Sequence, residues 1–211
     1  RDLMVENQLR PNKIKEKLVI ELFKTLPKEN FVPEEFKAIC YSDKDLNILK
    51  KRGYLKNLHL AQIIHFAEIK INDNVLHVGG LTGYLSFIIS KLCKKLIIIE
   101  DDTYSLEILK NNIKNNNLDN TEVVISKLER GYSLGSPYDL IIIDCPLHNL
   151  SKDILNQLNP KKGRLIYIEK INNSLSKAYK IIKNNKTLNK EYLFDVFSNF
   201  SIDDEKSNFE F

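Results

Sequence analysis

The sequence predicts an α/β fold: a Rossmann-like, mostly parallel, seven-stranded sheet with helices on both faces, an antiparallel C-terminal strand pair and an N-terminal helical cap. Three observations predict it. Between residues 75 and 169, short runs that are apolar throughout alternate with segments of helical periodicity, as in parallel strands buried on both faces. A glycine-bearing loop over residues 79–83 follows the first run. Near the C-terminus the rhythm breaks, and two strand-like runs flank a turn.

The N-terminal elements are predicted from helical spacing. Apolar residues at this spacing indicate a helix over residues 14–26, which Pro27 ends, and a shorter helix over residues 60–67. The segment 28–58 between them is rich in turns. These helices predict a helical cap that precedes the sheet.

The remaining elements are predicted from the apolar runs and the amphipathic segments that separate them. The last two strands should form an antiparallel pair around a turn. The predicted strands are residues 75–78, 96–99, 122–125, 140–143, 164–169, 178–183 and 191–197, and the predicted helices are a segment that ends at residue 92 and residues 104–115 and 150–158.

Length and composition predict one domain. The chain has 211 residues, of which 43% are hydrophobic, and a chain of this size buries a sufficient core without a disulfide or a metal. We therefore predict a single domain over residues 1–211, with the helical cap over 1–70 and the Rossmann-like core over 71–211. Phe209 and Phe211 are expected to pack against it or, alternatively, to contact a partner.

Cysteine usage and charge narrow the function classes. The three cysteines, Cys40, Cys93 and Cys145, lack CxxC spacing and indicate a reducing compartment without a structural zinc site. No apolar run approaches the roughly 20 residues of a membrane span, and the first residues carry no apolar signal segment. Only five of the 32 basic residues are arginine, the residue that nucleic-acid binders favour for bidentate phosphate contacts. We expect a cytoplasmic protein with no membrane and no nucleic-acid partner.

The glycine loop is the most informative segment. Glycines between a buried strand and a helix let the backbone approach a ligand, and ligands of parallel sheets lie at the carboxyl ends of strands. Glu100 ends the next strand with Asp101 beside it, where an acid accepts hydrogen bonds from ribose hydroxyls. The plainer interpretation is a tight turn with a solvated Glu100. The combination of loop, acid and α/β rhythm favours a nucleoside site.

Five sequence segments resemble one family in order and spacing. They are M-V-E-N-Q-L-R at 4–10, L-P-K-E-N-F-V-P at 26–33, V-L-H-V-G-G-L-T-G-Y at 75–84, P-Y-D at 137–139 and G-R-L at 163–165. Together they resemble the protein-L-isoaspartate O-methyltransferase family, in a divergent bacterial branch of the class I S-adenosylmethionine-dependent methyltransferases. The resemblance covers nearly the whole chain.

The resemblance implies a cofactor, a reaction and a set of site residues. The cofactor would be S-adenosylmethionine, and its methyl group would pass to the carboxylate of an isoaspartyl residue in a damaged protein or peptide. Such a carboxylate is already ionised at neutral pH, so that positioning, which supplies roughly 7–11 kcal/mol, replaces a general base or a metal. No catalytic residue is carried over. The implied cofactor-binding residues are Val78, Gly79, Gly80, Thr82, Gly83, Glu100, Asp101, Leu128 and Asp144.

Two departures from the family pattern lie in the glycine loop and its strand. Leu81 replaces the middle glycine, at a cost of roughly 1–2 kcal/mol if the left-handed conformation is kept. Alternatively, Gly80 absorbs the turn. His77 replaces the acid that usually ends the first strand, and we expect a partly buried histidine that the backbone satisfies.

Two further departures concern recognition. Lys127 stands where the family places an acid against the adenine amine, and we expect it to point to solvent, because lysine cannot accept that hydrogen bond. Leu55 stands at the hydroxyl position of the substrate-side segment. The isoaspartyl-recognition segment is therefore lost by comparison with the family.

Other functions remain as alternatives. One is a scaffold that keeps the fold without the cofactor, and another is a methyltransferase with a different acceptor. Asp144-Cys145-Pro146 is reminiscent of N-methyltransferases, but a strand end turned by proline explains it more simply. A thiol of Cys145 activated by His148 lacks a third orienting group. A nicotinamide-dependent oxidoreductase would need GxGxxG at the loop.

Overall fold

A seven-stranded mixed sheet forms the centre of the molecule, as predicted. The computed structural model describes residues 1–203, and Phe209 and Phe211 lie outside this part. The strand order is β3-β2-β1-β4-β5-β6-β7. The strands are β1 (Asn74–Val78), β2 (Lys95–Glu100), β3 (Thr121–Ile125), β4 (Leu140–Ile143), β5 (Lys161–Lys170), β6 (Leu175–Asn184) and β7 (Thr187–Phe197).

The first five strands are parallel and the last two are antiparallel, which confirms the prediction. β1 pairs with β2 on one side and with β4 on the other, so the strand order reverses at β1 and leaves the crevice in which ligands of such sheets bind. The β6–β7 hairpin runs further than predicted, because its exposed polar residues continue the same backbone pairing up to Asn184 and Thr187.

Over residues 1–203, seven short helices surround the sheet, together with 3-10 turns and one π-helical turn. A π-helical turn (Val5–Leu9) and a 3-10 turn (Arg10–Asn12) extend the first helix, in a segment where the apolar spacing predicts none. The helices are α1 (Asp2–Met4), α2 (Lys17–Thr25), α3 (Glu34–Lys37), α4 (Asn57–Ala67), α5 (Tyr84–Ser90), α6 (Thr103–Asn115) and α7 (Lys152–Asn156). Within residues 1–203, none of them has the length and apolar character to cross a membrane.

The sheet has two unequally covered faces, because successive residues of a strand point to opposite sides. Val75 of β1 belongs to a large core with the cap helices, α4, α5 and α6. Leu76 and Val78 face the other side, where α7 and nearby loops provide a smaller cover. Helices thus lie on both faces, as predicted. The predicted helix over 150–158 is limited to Lys152–Asn156.

A buried ion pair connects β5 to the residue before β1, across the intervening strand β4. Arg164 on β5 reaches Asp73, which precedes β1, and both side chains are less than a tenth exposed. Asp73 also accepts a hydrogen bond from the Lys70 backbone N–H at 2.8 Å. Removing one partner of such a pair leaves a charge buried without compensation.

We expect Arg164→Met to lower the free energy of unfolding by about 3–5 kcal/mol, measured by urea denaturation. The double variant with Asp73→Asn should lose less than the sum of the two single changes, since no uncompensated charge remains. Lys95→Met breaks the half-exposed pair with Glu122 and should cost about 0–1 kcal/mol. Equal losses for Arg164→Met and Lys95→Met would contradict the structural role of the buried pair.

Candidate functional site

The loop between β1 and α5 keeps three positive φ angles. They are 80° at Gly79, 48° at Leu81 and 100° at Gly83. The alternative in which Gly80 absorbs the turn is therefore wrong, and Leu81 adopts the conformation that favours glycine. Gly80 is required for a different reason, because a Cβ added there would lie 2.4 Å from Ile98 Cγ2 of β2. Gly83 provides the N-cap of α5.

Leu81 compensates its strained backbone with burial. Its side chain is 3% exposed and lies in the large core. Its backbone N–H donates a hydrogen bond to Glu100 Oε2 at 2.9 Å. Burial of a leucine side chain is worth roughly 1.5–3 kcal/mol, which offsets a left-handed conformation that costs about 1–2 kcal/mol. Burial of the side chain therefore compensates for the left-handed backbone that leucine adopts here.

Glu100 lies at the carboxyl end of β2, directly against the loop, and is fully buried. Its Oε1 accepts hydrogen bonds from the backbone N–H groups of Asp101 at 2.9 Å and Asp102 at 3.0 Å. The interpretation of Glu100 as a solvated acid is thus wrong. The site residue that sequence reasoning missed is Arg52, which binds the same carboxylate through Nη2 at 2.5 Å and Nη1 at 3.4 Å.

Arg52 and Asp101 are the charged side chains that lie next to Glu100. The Arg52 side chain is 8% exposed, and its Nη2 lies 3.5 Å from Asp101 Oδ1. Burial acts to lower the pKa of Arg52, but the charge of Glu100 and their hydrogen bond outweigh it and raise the pKa. Burial raises the pKa of Asp101, while Arg52 opposes that shift. The signal in the sequence is the residue type, because Arg52 is one of few arginines in a lysine-rich chain. Arginine is preferred over lysine where two parallel hydrogen bonds to a carboxylate are needed.

His77 and Asp144 are buried next to each other on neighbouring strands. His77 Nε2 lies 3.2 Å from Asp144 Oδ1, and His77 Nδ1 lies 2.8 Å from Ser86 Oγ of α5. The expectation that the backbone satisfies His77 is wrong, because side chains contact both ring nitrogens. A carboxylate remains at this edge after all, directly after β4 rather than at the end of β1.

Thr82 is engaged by the N-terminal cap. Its hydroxyl donates to the backbone carbonyl of Phe31 and lies 2.8 Å from the hydroxyl of Tyr54. The Tyr54 hydroxyl also accepts the backbone N–H of Tyr84 at 3.1 Å, the first residue of α5. Leu55, at the position of the family's substrate-side hydroxyl, is fully buried. The cap therefore binds the loop instead of leaving it open to a ligand.

An apolar cleft lies beside Gly79, on the thinner side of the sheet. The volume it leaves for a ligand is about 20 Å³, room for roughly one water molecule, and the polar residues Glu129, Asn149 and Ser151 contribute to its lining. Leu128 Cδ1 lies 3.6 Å from the place of a Gly79 Cβ. The apolar lining consists of Val78, Leu128, Ile143, Leu147, Leu150, Ile154 and Ile202.

Lys127 is exposed, as expected, and Ser126 Oγ donates to the Gly131 carbonyl.

The last described residues, 198–203, form a segment that we call the C-terminal strap. Its Ser201 N–H donates to the Lys51 carbonyl at 2.9 Å, next to Arg52. Its Ile202 N–H donates to the Pro146 carbonyl at 2.8 Å, beyond β4. Asp203 accepts the backbone N–H groups of His148 and Asn149. The strap thus joins the turn that carries Arg52 to the loop that follows β4.

Cys145 and His148 do not form an activated pair. Cys145 is buried, and burial raises the pKa of its thiol. His148 Nδ1 contacts Asp203 Oδ1 at 3.2 Å rather than the thiol. Within residues 1–203, no three His, Cys, Asp or Glu side chains are placed to hold a metal ion.

Lys28 is a buried amine beneath the loop. Its Nζ donates to Asn57 Oδ1 at 2.7 Å and lies over the rings of Tyr54 and Tyr84, 5.5 and 5.2 Å from their centroids. Burial lowers the pKa of Lys28 to about 7. An unfolded lysine has a pKa of about 10.4, so between these values the folded chain binds fewer protons than the unfolded one.

Stability should therefore rise with pH from about 7 to about 10 through Lys28, and the full penalty should be present below pH 7. We expect Lys28→Met to flatten this dependence in urea denaturation across that window, whatever its effect on absolute stability. Lys17→Met, at an exposed position in α2, should leave the dependence intact. An unchanged slope in Lys28→Met would contradict a neutral buried amine.

The positive φ at Leu81 can be tested with two variants. We expect Leu81→Gly to be more stable than Leu81→Ala by about 1 kcal/mol, because only glycine adopts this backbone without a steric cost. Thermal and urea denaturation measure the difference. The opposite order, in which alanine is more stable by its lower chain entropy, would show that Leu81 does not hold the left-handed conformation.

Comparison with known proteins places this chain in a family. The family model for Protein-L-isoaspartate(D-aspartate) O-methyltransferase (PCMT) matches residues 1–197. The protein-L-isoaspartate O-methyltransferase of Methanoculleus marisnigri is 26% identical over 166 residues, which cover 79% of this chain and 75% of the relative. The protein of the same name from Ignicoccus hospitalis is 27% identical over 187 residues, 85% of this chain and 86% of the relative.

Solved structures share the fold. A protein-L-isoaspartate O-methyltransferase structure matches 95% of this chain with a TM-score of 0.79 and 19% identity, and the chain spans 65% of that protein's length. Precorrin-6y C5,15-methyltransferase from Geobacter metallireducens matches 71% of this chain and 89% of its own with a TM-score of 0.51 and 12% identity. Since the family model covers nearly all of the described residues, the chain belongs to the protein-L-isoaspartate O-methyltransferase family.

Proposed function

We propose that this chain is an S-adenosylmethionine-dependent methyltransferase that esterifies isoaspartyl carboxylates of damaged proteins or peptides. The observation that carries the proposal is the family match over residues 1–197 on a sheet whose switch point carries the expected loop and acid. The name of the family's members states this activity for them. A protein substrate in the cytoplasm, rather than a nucleic acid or a membrane, is part of the proposal.

The arrangement at the carboxyl edge supports a nucleoside-type site. Gly79 and Glu100 stand where a ribose approaches, and Asp101 lies beside them with its side chain 47% exposed. The apolar cleft next to Gly79 has an aliphatic lining that could pack against a base, with Val78 and Leu128 on its walls, but a base enters it only if these walls move apart. Thr82, Gly80 and Gly83 shape the loop, and Asp144 places a carboxylate at the end of β4.

The ribose itself does not fit the site as it is arranged in this structure. Its hydroxyls would need the oxygens of Glu100, and Arg52 together with three backbone N–H groups already occupies them. Arg52 Nη1 also lies 3.0 Å from the place of a Gly79 Cβ, where a ligand would approach the backbone. Cofactor binding in the proposed function therefore requires Arg52 to move.

The same observation favours one competing function. If Arg52 holds Glu100 permanently, the chain is a scaffold that keeps the fold without the cofactor. The buried Leu55, without a hydroxyl, is consistent with this alternative and also with a methyltransferase for a different acceptor. Release of S-adenosylhomocysteine separates either methyltransferase from the scaffold, and the identity of the methylated acceptor separates the two methyltransferases.

Methyl transfer should be measured with labelled S-adenosylmethionine, an isoaspartyl peptide and the matched aspartyl peptide. We expect base-labile methyl esters on the isoaspartyl peptide alone. Asp101→Asn removes a charged acceptor at the rim and should raise KM for the cofactor by about tenfold, with kcat less affected. Asp119→Asn, an exposed change at the amino end of β3, should behave as the unaltered chain.

Absence of methyl esters at saturating cofactor would contradict the proposed function. Esters on another acceptor, with release of S-adenosylhomocysteine, would instead establish a methyltransferase of different specificity. A KM that Asp101→Asn does not change would place the cofactor away from the end of β2.

A further inference from the structure

The hydrogen-bond capacity of the Glu100 carboxylate is exhausted within the chain. A carboxylate offers about four lone-pair sites. Glu100 Oε1 receives Arg52 and the N–H groups of Asp101 and Asp102, and Oε2 receives Leu81 N–H and the second nitrogen of Arg52. The side chain is also shielded from solvent entirely. A further donor can reach Glu100 only if one of these leaves, and Arg52 is the only side chain among them.

The guanidinium reproduces the donor pattern of a ribose. Two N–H groups on adjacent nitrogens face the two oxygens of one carboxylate, as two vicinal hydroxyls would, and the planar fork fits this geometry. The same group rests on Gly79, with Nη1 at 3.0 Å from the place of a Cβ. Arg52 therefore binds the carboxylate that a cofactor ribose would bind, and it fills the space that the ribose would fill.

The backbone that carries Arg52 is fixed from both sides. Leu46 and Tyr54 exchange two backbone hydrogen bonds of 2.8 and 3.0 Å at the base of its turn. A Cβ on Gly53 would lie 1.9 Å from the Leu46 carbonyl and 2.7 Å from Phe200 Cζ of the strap. Next to Phe200, Ile202 Cδ1 lies 3.8 Å from the place of a Gly79 Cβ, so the strap and Arg52 cover the loop together.

We propose that Arg52 is a resident substitute for the cofactor ribose, so that a nucleoside ligand binds this chain only by displacing Arg52 from Glu100. The inference rests on the proposed function, since it names the residue that the proposed cofactor must displace. Arg52 is an internal partner of Glu100 and therefore competes at a high effective concentration. The apparent affinity for the ligand is the intrinsic affinity multiplied by the fraction of molecules in which Arg52 has left the site. The chain thus binds its cofactor more weakly than the loop alone would allow.

Calorimetric titration with S-adenosylhomocysteine tests this competition, because that ligand carries the same ribose without the sulfonium charge. We expect Arg52→Ala to bind it at least about tenfold more tightly than the unaltered chain. Arg52→Lys, which keeps the charge but loses the fork, should lie between them. Arg130→Ala, an exposed arginine on the rim of the same edge, should leave the affinity unchanged.

A second readout separates ribose mimicry from a general loosening of the fold. Guanidinium ion at low millimolar concentration should weaken S-adenosylhomocysteine binding to Arg52→Ala by refilling the space, and should have no such effect on Arg130→Ala. If Arg52→Ala does not fold, Arg52→Lys carries the test. In the unaltered chain, the ¹⁵N-detected Nε–H resonance of Arg52 should shift on saturation with the ligand.

The outcomes discriminate between the two proposals. Binding to the unaltered chain that Arg52→Ala and Arg52→Lys do not improve would overturn the role of Arg52 and leave the proposed function intact. Binding to none of the three proteins at millimolar ligand would overturn both. Methyl transfer without any movement of the Arg52 resonance would confirm the function and refute the substitution.

Discussion

The interaction on which this edge of the molecule depends is the set of hydrogen bonds to the buried carboxylate of Glu100. It connects the end of β2 to the glycine loop through Leu81, to the start of α6 through Asp101 and Asp102, and to the cap through Arg52. A buried carboxylate without partners would cost several kcal/mol. Each of these segments is therefore held at the position that satisfies one charge, and the strand end, the loop and the cap meet at a single corner.

Much of the fold follows from local sequence patterns. Strands such as β4 are apolar in every residue and buried in every residue, so their parallel pairing and their cover on both faces were predictable. The antiparallel end of the sheet also follows from its alternation around Asn184 and Asn185. What the pattern missed is the start of the chain, where π-helical and 3-10 turns follow no simple period. The limits of β5–β7 were missed because backbone pairing extends into residues that carry no apolar signal.

For the candidate site, the positions of the backbone segments could be predicted from the sequence, but the side-chain contacts within the site could not. The loop and Glu100 stand where the spacing of the sequence places them, and the left-handed residue is the one that replaces a family glycine, Leu81. The contacts of Glu100 with Arg52, of His77 with Ser86 and Asp144, and of Thr82 with Phe31 join residues that are between 9 and 67 positions apart. Such pairs depend on the tertiary arrangement of cap and core. The role of Arg52 was not predicted, because its neighbours in the sequence give no indication of it. The only local indication is that Arg52 is an arginine in a chain whose basic residues are mostly lysine.

The capping of α5 by Tyr54 has a consequence for how the molecule folds. Tyr54 supplies from the cap the hydroxyl that satisfies the first backbone N–H of α5 and contacts Thr82, while Lys28 below it is buried only when cap and core meet. A core separated from the cap would expose the uncapped end of a helix that is already short. We therefore expect the cap and the core to unfold as one cooperative unit, with residue 70 marking a change in the pattern of the chain rather than a point at which it can be divided.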